Sequence, residues 1–177
     1  SLRVEVKELA QKDVWQSRQF DGTTVTKDSK INMGNLTING TSIDTTNKSY
    51  SDLVTEINKI SGVQASLIES SDGKFRLAIK STETGTANKI NFNTKDISGN
   101  DLGVSSGAAK LFGDGSALSD SLNVLKAQDM QLKADGVDYS SSSNTITIDG
   151  LKITATKKGG DSTINIENDT TTLSAQM

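Results

Sequence analysis

The chain has 177 residues and a net charge of -3, with 33% hydrophobic and 4% aromatic residues and no Cys, His or Pro. That composition excludes a disulfide framework, thiolate chemistry, a histidine general base, a histidine-based zinc peptidase motif and a cis-proline turn. The length suits one domain or two small ones with thin cores of Ile, Leu and Val, the scattered acidic charge speaks against a nucleic-acid partner, and no apolar run is long enough to span a membrane.

The chain opens on Ser1-Leu2-Arg3, without a starting Met or a signal-peptide pattern, and reads as a piece of something longer. Leu2, Val4 and Val6 alternate with Arg3, Glu5 and Lys7, which predicts a half-buried strand. Leu9 to Phe20 is polar and predicts an irregular extension of that strand, with Trp15 as a packing anchor rather than a binding platform. Asn35 to Ile38 predicts a strand ending in the turn dipeptide Asn39-Gly40. A helix is predicted at about 50–61. Ser49 or Ser51 is its N-cap, Asp52 faces its N-terminal dipole, Leu53, Ile57 and Ile60 form its apolar stripe, and Gly62 terminates it.

Val63, Ala65 and Leu67 alternate as the next strand, Asp72-Gly73 turns, and Phe75, Leu77 and Ile79 return. The helix is expected to cover this hairpin, with Leu53 and Ile57 against Leu67 and Leu77. Ile90 to Phe92 predicts a short strand. Asn100 to Gly115, rich in Gly and small residues, predicts a loop or linker tacked down by Val104 and Leu111-Phe112. From Met130 onward only strands are predicted: Met130 to Ala134, Val137 and Tyr139, Thr145 to Ile148, Leu151 to Ala155, and a closing strand at Ile164 and Ile166. Their turns are Asp135-Gly136, the serines 140–143, Asp149-Gly150, and Lys157 to Gly160.

Little in this pattern points to chemistry. Asp96 with Asp101, or Asp114 with Asp120, are the carboxylate pairs to consider for acid–base work, but no apolar pocket is evident to raise a pKa. Asp72-Gly73, Asp135-Gly136 and Asp149-Gly150 lack the alternating oxygen ligands and bidentate Glu of a calcium loop and read as turns. Lys157-Lys158 reads as a solvated hairpin tip, and the Ser/Thr-rich faces as ordinary exposed strand surface.

The most specific pattern is Gly34 to Asn58: a strand, an Asn-Gly turn and a helix ending in Ile57-Asn58. It resembles the short motif shared by flagellins and hook-associated proteins and named for that Ile-Asn pair. Its structural positions here are Leu36, Ile38, Gly40, Leu53, Ile57, Asn58 and Gly62, with Asn58 read as a helix-end cap or a bond to a nearby backbone group. The hairpin from Gly62 to Leu77 continues the likeness. The opening Val4 to Gln11 and the closing run through Ala127-Gln128-Asp129, Asp135-Gly136-Val137, Asn144-Thr145-Ile146 and Gly150 to Thr154 complete it. In this order the chain resembles the flagellar filament cap family, hook-associated protein 2, from Val4 to about Asp169, most weakly over 22–31 and 97–120.

The resemblance implies a structural protein and not an enzyme, with no catalytic, cofactor or metal residues to carry over. It implies an extracellular place at the flagellum tip, reached by the flagellar export route without a cleaved signal peptide. Partners would be further copies of itself in an oligomeric cap, flagellin, and host mucin or glycan touched by outward domains. The long apolar heptads that the family's helical legs need are absent, which implies head domains alone. The fold implied is α+β and mainly β: two small domains of antiparallel sheet, one with a single packed helix. Residues 1–22 plus 119–177 would form a discontinuous, mostly β domain, and 23–118 an inserted α+β domain carrying the motif. An outer domain of flagellin, or an adhesin-like domain binding glycan or mucin, are the alternatives. A ring-lined groove would favour the adhesin.

Overall fold

A computed structural model describes residues 2–160 and, as backbone, residues 164–168. In chain order its elements are β1 (Val4–Glu8), β2 (Val14–Gln16), β3 (Asn35–Ile38), β4 (Thr41–Asp44), α1 (Tyr50–Ile57), β5 (Val63–Glu69), β6 (Phe75–Ser81), β7 (Asn93–Lys95), β8 (Asp101–Val104), α2 (Ser106–Leu111), β9 (Asn123–Leu125), β10 (Met130–Ala134), β11 (Val137–Ser141), β12 (Thr145–Ile148), β13 (Leu151–Ala155), β14 (Gly159–Gly160) and β15 (Ile164–Asn168). The architecture is α+β and mainly β, in small antiparallel sheets. The chain divides into two compact units: Ser1–Lys12, Glu83–Asn88 and Ala127–Met177 in the first, Asp13–Thr82 and Lys89–Lys126 in the second.

In the first unit β1 lies between β10 and β14, and β11 pairs with the other edge of β10. A second sheet has the order β12-β13-β15. Two of the expected turns recur here with one geometry. Asp135 and Gly136 have φ 48° and 81°, and Asp149 and Gly150 have φ 50° and 80°. Two successive positive φ values suit the twist of a two-residue hairpin, and Asp-Gly tolerates them. Val4, Val6, Ala10, Met130, Leu132, Ala134, Ile148, Ile153 and Ala155 form the core. Gly159 and Gly160, expected as part of a turn, instead pair with Val6 and Glu5 as β14.

The second unit is built on a sheet of order β5-β6-β2-β9, with the hairpins β3–β4 and β7–β8 and both helices. Residues 13–22 and 119–126, assigned from sequence to the discontinuous domain, pack here. β2 pairs with β6 through Val14↔Lys80 and Trp15↔Ile79, and β9 pairs with β2. The expected strand at Ile90 to Phe92 does not form. Its backbone groups go to three separate partners: the Ile90 N–H to Asp13, both Asn91 groups to Asn39, and the Phe92 carbonyl to Ser105. Ile90 and Phe92 are nonetheless buried, and β7 starts one residue later. The expected loop over 100–115 holds β8 and the short helix α2, so this unit has two helices rather than one. A Cβ at Gly107 would lie 2.8 Å from the Asn35 carbonyl oxygen, so α2 approaches β3 at a distance only glycine allows.

Candidate functional site

The segment that resembles the Ile-Asn motif, Gly34 to Asn58, falls within the second unit. Leu36 and Ile38 point inward from β3, Leu53 and Ile57 from α1, and all four are fully buried in one cluster with Leu77 and Ile79 of β6. The stripe positions Leu53 and Ile57 were legible in the sequence, but the helix ends at Ile57 on the Asn58 cap rather than near 61, so Ile60 lies beyond it and Gly62 does not terminate it. Of the two partners expected on the hairpin, Leu77 is fully buried here and Leu67 is half-buried against the cluster. Ser49 is the N-cap. Its Oγ accepts from the Asp52 N–H at 3.0 Å, which satisfies a donor that the first turn leaves free. Around Tyr50 the rings of Phe20 and Phe75 close the other end, with centroids 4.9 and 5.4 Å away.

Gly40 and Gly62 lie outside that cluster, at turns. Asn39 and Gly40 have φ 49° and 87° and join β3 to β4. Gly62 has φ 89°, and its carbonyl accepts from Thr82 as the chain enters β5. Of the two roles read for the Asn58 side chain, it takes the second, a bond to a nearby backbone group, and only the main chain of Asn58 caps the helix. Its backbone N–H closes the helix on the Val54 carbonyl at 3.0 Å. Its carboxamide accepts from the Ala65 N–H at 2.8 Å and donates to the Ala65 carbonyl at 3.1 Å. β5 is an edge strand, and these are the two bonds that a neighbouring strand would make opposite Ala65. Asn58 therefore covers part of an exposed edge while tying the helix end to the sheet.

The carboxylates have no acid–base geometry. Asp96 accepts from the N–H groups of Ser98 and Asn100, Asp101 from the Asn93 amide and the Gly103 N–H, and Asp114 from the N–H groups of Ser116 and Ala117. Bonds from Asn100 to Asp96, Asn93 to Asp101 and Ala117 to Asp114 are the leading causes that hold each carboxyl below the usual range. A general acid needs the opposite displacement. Asp120 pairs with Lys126 at 2.8 Å. Among the described residues no three His, Cys, Asp or Glu side chains group as metal ligands, and no helix is long and apolar enough to cross a membrane.

Two features carried no signal in the sequence. Asp13 is fully buried and holds several segments of the second unit together. Its Oδ2 accepts from the Ile90 N–H at 2.8 Å, its Oδ1 from the Asn123 amide at 2.9 Å, and its own N–H donates to Ser81 Oγ at 2.9 Å. The second feature is a groove of about 550 Å³ walled by Trp15, Ile90, Phe92, Leu118 and Asn123. Trp15 and Phe92 are 5% and 2% exposed and meet edge to face at 5.5 Å, so neither ring offers a free face for stacking. The Trp15 indole N–H has no acceptor among the described residues.

No family model matches the chain. It is 29% identical over 201 residues to a flagellar hook-associated protein 2 of Campylobacter jejuni, a match that covers 96% of this chain and 31% of that relative. The chain thus spans about a third of the length of the curated relative it matches. In fold it is similar to the D2-D3 domains of the flagellar cap protein FliD from Escherichia coli, with a TM-score of 0.63 and 24% identity over 95% of this chain and 87% of that one. Against the D1-D2-D3 domains from the same organism the TM-score is 0.60 and the identity 26%, covering 96% of this chain and 48% of the other. Sequence and fold thus agree on the resemblance to cap-protein head domains.

Proposed function

We propose that this chain is the head region of a flagellar filament cap protein and acts at the distal tip of the filament, outside the cell. The observation that carries the proposal is the match to a hook-associated protein 2 along nearly the whole chain, joined to a fold similar to cap-protein D2-D3 domains. The role is structural. Leu36, Ile38, Leu53 and Ile57 build a packed scaffold, and the hydrogen bonds to the exposed Asp96, Asp101 and Asp114 lower their pKa rather than raise it. In the full-length protein, copies of the chain would assemble into the cap, with flagellin as the partner it guides into the filament and the flagellar export route as its way out. The two compact units would be the two head domains, both discontinuous in sequence, the second inserted between Lys12 and Ala127 and itself interrupted by residues 83–88 of the first.

Immunogold labelling of intact cells with antibody against this chain tests the reading. Label confined to filament tips supports the cap. Label along the filament would replace it with an outer domain of flagellin, and label on the cell body without filaments with an adhesin. For the adhesin, host mucin or glycan is the expected ligand, but the buried rings of Trp15 and Phe92 give it little stacking surface. The fragment alone is expected to sediment as a monomer or weak oligomer, and a ring that persists on dilution would contradict that.

A further inference from the structure

Asn39-Gly40 is the only Asn-Gly pair in the chain. Both residues are exposed, and they form the two-residue turn between β3 and β4. The ladder closes on Ile38↔Thr41, which leaves the Gly40 N–H outside it, and a Cβ on Gly40 would meet nothing within 4 Å. The Asn39 side chain is held at one end only. Its Oδ1 accepts from the Asn91 N–H at 2.9 Å, while its own N–H donates to the Asn91 carbonyl at 2.7 Å. Its Nδ2 has no partner among the described residues, so the group that would depart is unheld.

We propose that Asn39 is a site of spontaneous deamidation in the folded protein. The Gly40 nitrogen attacks Asn39 Cγ and a new N–C bond forms, while the Gly40 proton passes to a solvent base. The Asn91 N–H already points at Oδ1 and stabilises the negative charge that gathers there in the tetrahedral adduct. The Cγ–Nδ2 bond then breaks, and the nitrogen leaves as ammonia after taking a proton from water. The product is a five-membered imide. Water opens it at either carbonyl, giving aspartate or isoaspartate. One water is consumed and one ammonia released, with no change of oxidation state.

The two products differ in their effect on the motif. Aspartate keeps an acceptor for the Asn91 N–H. Isoaspartate adds a methylene to the main chain inside a turn that requires two positive φ values, and it breaks the register that sets Leu36 and Ile38 inward. The turn would thus act as an ageing site for the β3–β4 hairpin.

Incubating the purified chain in mildly alkaline buffer, native and in urea, with peptide mapping by mass spectrometry, tests this. The expected result is amide-to-acid conversion at Asn39 ahead of every other Asn in the native chain, matched by ammonia release and including isoaspartate. Asn39→Gln, which cannot close the five-membered ring at that rate, should stay unchanged. Persistence of the Asn39 amide in the native chain while the urea-unfolded chain converts would overturn the proposal, as would earlier conversion at another Asn. The isoaspartyl fraction, separated by charge, should unfold at lower urea than Asn39→Asp. Equal midpoints would overturn the claim that the isomer opens the hairpin.

Discussion

At the residue scale the most informative position is Asn58. Its side-chain amide forms both bonds that Ala65 directs to the open edge of β5, so removing it leaves a donor and an acceptor unpaired at the helix–sheet junction. Asn58→Ala is expected to lower stability by about 1–3 kcal/mol, read from urea unfolding followed by Trp15 fluorescence. An unchanged midpoint would mean that water replaces the amide without loss. The sequence supported two readings of Asn58 because a helix end and a strand start five residues later offer it both partners. Spacing alone does not say which one the side chain takes. A second set of residues acts on pH dependence. Asp21 accepts from the N–H groups of Val25 and Thr23, and its carboxyl is lowered from 3.8 to about 2. Bonds from nearby backbone and side-chain groups also lower Asp44, Asp72, Asp96 and Asp114, and the Asn93 amide across the β7–β8 hairpin lowers Asp101. A carboxyl that is more acidic folded than unfolded stabilises the fold above its unfolded value and loses that contribution as pH falls through its folded value. The Asp21 contribution is therefore complete above pH 3.8 and is lost on acidification toward about 2. Asp21→Asn should flatten that part of a plot of urea midpoint against pH, and an identical slope in parent and variant would remove Asp21 from the account.

At the element scale, what was legible in the sequence follows from period and turn chemistry. The α1 stripe, the β5–β6 hairpin and the Asn-Gly and Asp-Gly turns each combine a repeat with a punctuating residue, and each forms where expected except that α1 ends at Ile57, a turn before the Gly62 stop. α2 escaped because six residues with Gly107, Ala108 and Ala109 show no amphipathic period. Its small residues mark close approach to β3 rather than a loop, and that becomes visible only once β3 lies beside it. The short strand expected at Ile90 to Phe92 failed for a related reason. Two buried apolar residues flanking an Asn match a strand period, but their backbone groups bind three unrelated partners. The α1 assignment has a direct test. Ile57→Asp places a charge in a fully buried site among the apolar side chains of the cluster. The cost should be about 4 kcal/mol or more, enough to abolish the cooperative unfolding transition of the second unit. An unchanged melting temperature would show that α1 does not cover the hairpin.

At the scale of the whole molecule, the division into two units was only partly legible, because the strands that decide it are short. β2 and β9 have three residues each and no alternation strong enough to reveal their partners, yet their pairing with β6 and with each other puts residues 13–22 and 119–126 in the second unit. The chain passes between units next to Lys12, Thr82, Asn88 and Lys126. Within the second unit, Asp13 gathers the residues beside those crossings: Ser81 through two backbone-directed bonds, Ile90 through its N–H, and Asn123 through its amide. A buried residue that binds two segments through its carboxylate and a third through its main chain fixes the ends of a discontinuous domain where short strands alone hold them weakly. Asp13→Ala would leave the Ile90 N–H and one Asn123 bond unmet, at about 1–3 kcal/mol each. The loss belongs to the second unit, and Trp15, the chain's only tryptophan, reports that unit alone. The expected result is a Trp15 fluorescence transition at lower urea, while amide exchange in β1, β10 and β13 of the first unit keeps its parent protection. If protection in the first unit falls by the same amount, the two units unfold as one cooperative body and Asp13 stabilises the whole chain rather than the inserted half.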